Sequence, residues 1–191
     1  MGSSLKQKGI YMRCRLCGLL LALCLFLPLG LQASTALPPD ASFDVGFSPN
    51  GESLNLVLSA IGSARESILV AAYTFTSKPI ATALVAAKKR GVQVFVVADK
   101  KSNSGQYTAV TFLANMGVSV RLDDHYAIFH NKFMVIDLNT LETGSFNYSA
   151  SAVSRNAENV FVLWNAPSVA ALYGTTWRKL WDESEPLEAR Y

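Results

Sequence analysis

The sequence predicts an α/β domain with a mixed central β-sheet flanked by helices on both faces. Three observations carry this. Residues 67–74 (SILVAAYT) and 92–98 (VQVFVVA) are almost unbroken apolar runs, which suit strands covered on both faces. The segments between and after such runs recur at helical spacing, so the periodicity switches back and forth. About 155 residues follow the N-terminal segment without a repeat or a linker, a size that supports one domain with one core.

In chain order, residues 42–47 form a short strand closed by the turn Pro49-Asn50-Gly51. Leu54, Leu56, Val57, Ile61 and Ala64 then repeat at roughly helical spacing. After the strand at 67–74, Pro79 opens a helix at a favoured first-turn position. It runs through Ile80, Leu84 and Val85 to Lys88-Lys89-Arg90, which complement its C-terminal dipole, and Gly91 stops it. The second buried strand, 92–98, leads into the polar loop 99–106. Residues 109–116 make a short helix ended by Gly117, and 118–122 a third strand. Further strands follow at 132–137, 141–144 and 159–164, then an amphipathic helix at 167–183 in which Trp177 and Trp181 serve as core or inter-subunit contacts.

The first 36 residues read differently. Lys6, Lys8, Arg13 and Arg15 precede an apolar run at 16–31, with the small residues Ala33, Ser34, Thr35 and Ala36 after it. This is the pattern of a secretory signal peptide, with cleavage near Ala33 or Ala36, and it implies a periplasmic or secreted product. An uncleaved N-terminal anchor is the alternative, although the run is shorter than the ~20 residues of a membrane span. Met12 makes a more ordinary start for such a signal than Met1. All three cysteines, Cys14, Cys17 and Cys24, lie in this segment, so the domain at 37–191 needs no disulfide and offers no thiolate chemistry. Removing the four basic residues of the segment from the 17 in the chain leaves 13 against 14 acidic side chains, a net −1. Overall charge therefore gives no argument for a polyanionic partner, and any such preference must come from local patches.

The chemistry concentrates in one stretch. His130 and Lys132 are followed by Asp137, then by Gly144-Ser145-Phe146-Asn147, a pattern written H-x-K-x4-D-x6-G-S-x-N. On a strand, residues two apart share a face, so His130 and Lys132 point the same way. Cleaving a phosphodiester needs a nucleophile, an acid for the leaving oxygen and positive or donor groups around the non-bridging oxygens. His130 supplies the nucleophile, Lys132 the charge, and Ser145 and Asn147 hydrogen-bond donors, with no metal ion or other cofactor required. The isolated motif at His125, beside Asp123 and Asp124, reads as a solvated turn rather than a metal site.

This stretch resembles the signature of the phospholipase D superfamily. The resemblance implies a phospholipase D/nuclease-like fold and cleavage through a phosphohistidine intermediate. It implies that Lys132 and Asn147 bind phosphate with Ser145 assisting. Asp137 completes the signature and joins the candidate catalytic set, although its counterparts in the family are usually structural. Glu158 fits the acidic position that hydrogen-bonds the histidine ring. Lys100 and Lys101, in the loop after the second buried strand, are candidate contacts to a phosphate backbone, since ligands gather at strand C-terminal ends. Tyr73 and Phe75 end a neighbouring strand; core packing is their first reading and stacking on a base their second.

Many family members carry two signatures, and this chain carries one. Its only other histidine, His125, has no lysine two residues on. The resemblance thus implies a homodimer that brings two copies of His130 together. The expected function is a metal-independent endonuclease hydrolysing DNA, with RNA as a further substrate. A phospholipase D-type lipid hydrolase, for example on cardiolipin, is the alternative, and a non-catalytic nucleic-acid-binding module a third.

Overall fold

The structure is a computed structural model that describes Ser34 and residues 36–105 and 108–189. The expected signal segment with its cysteines lies outside the described residues, as do Gln106 and Tyr107 of the polar loop.

The elements are β1 (Ser42–Ser48), α1 (Glu52–Ser63), β2 (Ser67–Ala72), α2 (Lys78–Lys89), β3 (Gln93–Asp99), α3 (Ala109–Asn115), β4 (Ser119–Asp123), β5 (Lys132–Ile136), β6 (Thr140–Gly144), α4 (Ala150–Ser154), β7 (Glu158–Trp164), α5 (Pro167–Asp182) and β8 (Glu185–Pro186). They form one eight-stranded sheet in the order β1-β7-β6-β5-β2-β3-β4-β8. β2, β3 and β4 are parallel, joined by the crossover helices α2 and α3. β5, β6 and β7 form an antiparallel meander against β2, and β1 adds antiparallel to β7. The sheet is mixed and helices cover both faces, as the periodicities predict.

Sheet pleat assigns the core to two layers. Val70, Val96, Met134 and Val160 pack under α1 and α2 in the larger cluster. Ala71, Val97, Phe133 and Val135 point the other way, against Ala170, Trp177 and Leu180 of α5. Trp177 donates its ring N–H to the Val70 carbonyl at 2.8 Å, which places it in the core. Arg90, at the end of α2, donates to the carbonyl of Ile61 at 3.2 Å and so helps close the end of α1.

Several boundaries depart from the sequence reading. β2 stops at Ala72 rather than 74, because the buried Asn103 side chain claims the next backbone groups: its amide donates to the Tyr73 carbonyl at 2.6 Å and its oxygen accepts from the Phe75 amide at 2.9 Å. α4 and β8 were not expected. Ser149 caps α4 by accepting from the Ala152 amide at 3.2 Å, and β8 pairs with Arg121 and Leu122 along the outer edge of β4.

Register fixes where chemistry can sit. Ala72 at the end of β2 pairs with both Ala98 near the end of β3 and Lys132 at the start of β5. Phe133 pairs with Thr143, Gly144 with Val160, and Glu158 with Ser48. The end of β2, β3 and β6 and the beginning of β5 and β7 therefore share one rim of the sheet, where His130, Lys132, Ser145, Asn147 and Glu158 all emerge.

Candidate active site

Lys132 is the most constrained of these groups. Its residue is 8% exposed. The ammonium donates to the His130 carbonyl at 2.8 Å and sits 5.3 Å from the centre of the Tyr73 ring. Burial holds its pKa below that of an ordinary lysine, and the Glu158 carboxylate partly counters this. The cation is thus poorly solvated and has only neutral direct partners, so an anion brought to it gains more than it would from a solvated lysine.

His130 lies just outside β5 on the exposed rim. Its ring leans on Tyr73, with centroids 4.7 Å apart, and neither ring nitrogen is hydrogen-bonded among the described residues. Tyr73 thus belongs to the site, whereas Phe75 is buried against Tyr148 in the core. The segment entering His130 is held from β3. Asp99, itself buried, accepts from the Phe129 amide at 3.1 Å and from the Ser102 amide at 2.6 Å. Sequence reading placed Asp99 only in a polar loop; its work is to tie that loop to the chain preceding His130.

Ser145 and Glu158 interact with each other. The Ser145 hydroxyl donates to one Glu158 oxygen at 2.6 Å and accepts from the Asn159 amide at 3.1 Å. The other Glu158 oxygen accepts from the Asn156 side chain at 2.9 Å. Within one chain Ser145 and Asn156 take the Glu158 oxygens, and Glu158 makes no hydrogen bond to the His130 ring. The Ser145 proton lies on Glu158, so in this arrangement the hydroxyl orients that carboxylate.

Asn147 is the opposite case. Its side-chain oxygen is buried and without a hydrogen-bond partner, and the amide as a whole is uncommitted among the described residues. Gly144, at the base of this turn, permits the geometry: a Cβ there would lie 2.2 Å from the Asn159 carbonyl oxygen. That close approach brings the β6–α4 turn against the start of β7.

Asp137 is a further correction, for it does not belong to the site. It follows the far end of β5, roughly 16 Å from Lys132 at the usual rise per residue. Its carboxylate accepts from the backbone amides of Arg65, Glu66 and Ser67 at 2.9, 2.8 and 2.9 Å, clamping the start of β2. Lys100 and Lys101 do lie on the site's rim, beyond the end of β3. Lys100, however, is paired with Asp124, which raises the lysine pKa and lowers that of the aspartate. His125 meets Tyr126 edge to face, and among the described residues no three His, Cys, Asp or Glu side chains converge to hold a metal.

Residues 57–181 match the family model described as the cardiolipin synthase, PLD-like domain. The chain belongs to the phospholipase D superfamily. It is 36% identical over 131 residues to a protein of Rickettsia bellii named phospholipase D, covering 69% of this chain and 65% of that one. A mouse protein named mitochondrial cardiolipin hydrolase is 30% identical over 157 residues, covering 82% of this chain and 71% of the relative. The chain thus spans somewhat less than two thirds of the length of the Rickettsia relative. Among solved structures, the phospholipase D family member Nuc of Salmonella typhimurium aligns with a TM-score of 0.77 at 42% identity, covering 78% of this chain and all of that one. NucT from Helicobacter pylori shares the fold at a TM-score of 0.71 and 24% identity.

Proposed function

We propose that this chain is an exported phosphodiesterase that cleaves nucleic acid, DNA foremost, through a phosphohistidine at His130. The observation that carries the reading is the pairing of an exposed, uncommitted imidazole with a desolvated Lys132 and a side chain, Asn147, left without a partner. In the proposed cycle a ring nitrogen of His130 attacks phosphorus, the bond to the leaving oxygen breaks, and a second imidazolium gives that oxygen its proton. Water then attacks the phosphohistidine, passing a proton to the second imidazole, and the His130–phosphorus bond breaks. Lys132 and Asn147 neutralise and orient the non-bridging oxygens throughout. Lys132 supplies the charge that a metal ion supplies elsewhere, so the reaction proceeds without one.

The second imidazole is His130 of another copy. One chain carries one signature, and the exposed ring faces away from its own core. The nuclease reading is favoured by the resemblance to Nuc across the whole length of that protein. A second reading, hydrolysis of a phospholipid such as cardiolipin, is favoured by the names of the Rickettsia and mouse relatives. The N-terminal segment, with its basic residues, apolar run and small residues, supports export to the periplasm or beyond.

The test is incubation of the purified protein with plasmid DNA in excess EDTA, beside phospholipid vesicles. Nicking that His130→Ala abolishes is the expected result, with the active species sedimenting at twice the chain mass. Headgroup release without nicking would transfer the assignment to the lipid. Full activity of a monomer would overturn the shared site.

A further inference from the structure

The beginning of α2 stands next to this site and carries an unanswered polar group. Its N-cap residue, Ser77, is 2% exposed, yet among the described residues the hydroxyl neither caps the helix nor finds another hydrogen-bond partner. A buried hydroxyl left unpaired costs about 1–3 kcal/mol, a cost that a bound acceptor would remove. Two clefts meet at this point. One, of about 410 Å³ between α2 and α3, is lined by Thr76, Lys78, Thr82, Thr108 and Phe112. The other, of about 330 Å³, lies among α1, α2 and α4, with Ser77, Lys78 and Ser154 in its wall. Thr76 and Lys78 line both.

The electrostatics have one sign. No carboxylate lines either cleft, and the first turn of α2 contains no acidic residue. Lys78 is exposed and makes no ion pair among the described residues. The first-turn amides of a helix and its dipole favour an anion at this end, and α2 runs twelve residues. The place is also tied to the catalytic rim. The Tyr148 carbonyl accepts from the Thr76 and Ser77 amides, both at 2.8 Å, so the helix start is anchored one residue beyond Asn147.

We propose that the N-terminus of α2 is a second phosphate subsite, in which Ser77, Lys78 and the helix amides hold a neighbouring phosphate of a nucleic-acid strand whose scissile phosphate lies at Lys132 and Asn147. Phe112, 43% exposed in the adjoining cleft, offers its ring to a base. The proposal rests on the phosphodiesterase reading and specifies its substrate. A polynucleotide repeats an anion and a flat ring along its length, which suits an anion site beside the catalytic rim with an exposed aromatic, Phe112, in the cleft next to it.

The experiment compares the full chain with Lys78→Ala and Ser77→Ala on three substrates: bis(p-nitrophenyl) phosphate, a single-stranded oligonucleotide, and cardiolipin vesicles. Lys78 is exposed, and Ser77→Ala removes an unpaired hydroxyl, so both variants are expected to fold. The small diester does not reach the subsite, and its hydrolysis is unchanged in both. For the oligonucleotide, Lys78→Ala raises KM roughly tenfold at constant kcat, as loss of one charge-assisted contact would. The slope of log affinity against log salt falls by about 0.7, the value for one single-strand phosphate. Ser77→Ala raises KM in the same direction by a smaller factor. Unchanged oligonucleotide KM and salt slope in Lys78→Ala overturn the subsite while leaving the phosphodiesterase reading in place. A Lys78→Ala defect confined to vesicles assigns the anion site to lipid and overturns the nucleic-acid proposal. Failure of the unmodified chain on all three substrates overturns the phosphodiesterase reading itself.

Discussion

Glu142 is a carboxylic acid sealed inside the sheet, and its replacement by glutamine should make the protein more stable at neutral pH. The residue is 1% exposed and lies on β6 between Met134 and Val162. Its carboxylate accepts from the Tyr148 hydroxyl at 2.6 Å. Burial pushes the Glu142 pKa from 4.5 to about 8, with the tyrosine bond pulling weakly the other way. The folded state therefore holds the proton more tightly than the unfolded chain. Stability from this group is fully present below pH 4.5 and is lost as pH rises through 8. Between pH 4.5 and pH 7.5 the unfolded chain releases its proton and the folded chain largely does not, a cost of about 3–4 kcal/mol at 1.36 kcal/mol per unit. Glu142→Gln keeps the shape and an oxygen for Tyr148 but cannot ionise. Urea unfolding across this range should show the wild type losing stability relative to the variant by a few kcal/mol. Parallel curves, with a constant difference from pH 4.5 to pH 7.5, would refute a raised Glu142 pKa.

Other consequences are equally local. Gly144→Ala puts a methyl 2.2 Å from the Asn159 carbonyl oxygen, and it should cost about 3 kcal/mol in chemical unfolding and displace the Ser145–Glu158 pair. Asp137→Ala strips three backbone amides of their acceptor and should lower stability by about 1–3 kcal/mol, with kcat/KM unchanged at a temperature where the variant is folded. Lys132 has a pKa depressed by burial and held up by Glu158, so the alkaline limb of kcat/KM should fall below pH 10.5, and Glu158→Gln should move it lower still. Phe43 and Phe47, 64% and 56% exposed on the face of β1 that leads to Asn159, should form part of the contact with a second copy. Replacing both with aspartate should yield a folded monomer by sedimentation and circular dichroism that has lost phosphodiesterase activity.

The sequence made the architecture legible where burial imposes a period. Strands such as 92–98 must be covered on both faces, and α2 and α5 carry a stripe that shows which side is inward. It left α4 and β8 unseen because five and two residues are too short to display a period. The end of β2 was misplaced because Asn103, thirty residues from Tyr73, decides it through hydrogen bonds that no local pattern records. The site divides the same way. His130 and Lys132 were legible because strand spacing alone puts them on one face. The roles of Ser145 and Glu158 were not, since Asn156 and Asn159 compete for the same few lone pairs and protons. Nor could spacing bring Tyr73 to His130, which requires β2 and β5 to be neighbours.

The pairing of β2 with β5 also bears on the proposal that two copies share one site. The sheet order sets β4 three strands from β5, roughly 14 Å at the usual interstrand distance. His125 follows the end of β4 edge-on to Tyr126, whose hydroxyl donates to Glu183 at 2.8 Å, so the turn that carries it is tied to the end of α5. The nearer flank of the rim, past β6 and β7, ends in the bare apolar strip of Phe43, Val45 and Phe47 on β1. α5 packs against β2, β5 and β6 and leaves that strip uncovered. A two-fold partner seated there would approach from the side of Asn159 and Ser145, where the missing imidazole is needed. The exposed strip on β1 is thus the surface on which the proposed second copy would sit, beside the rim that carries His130.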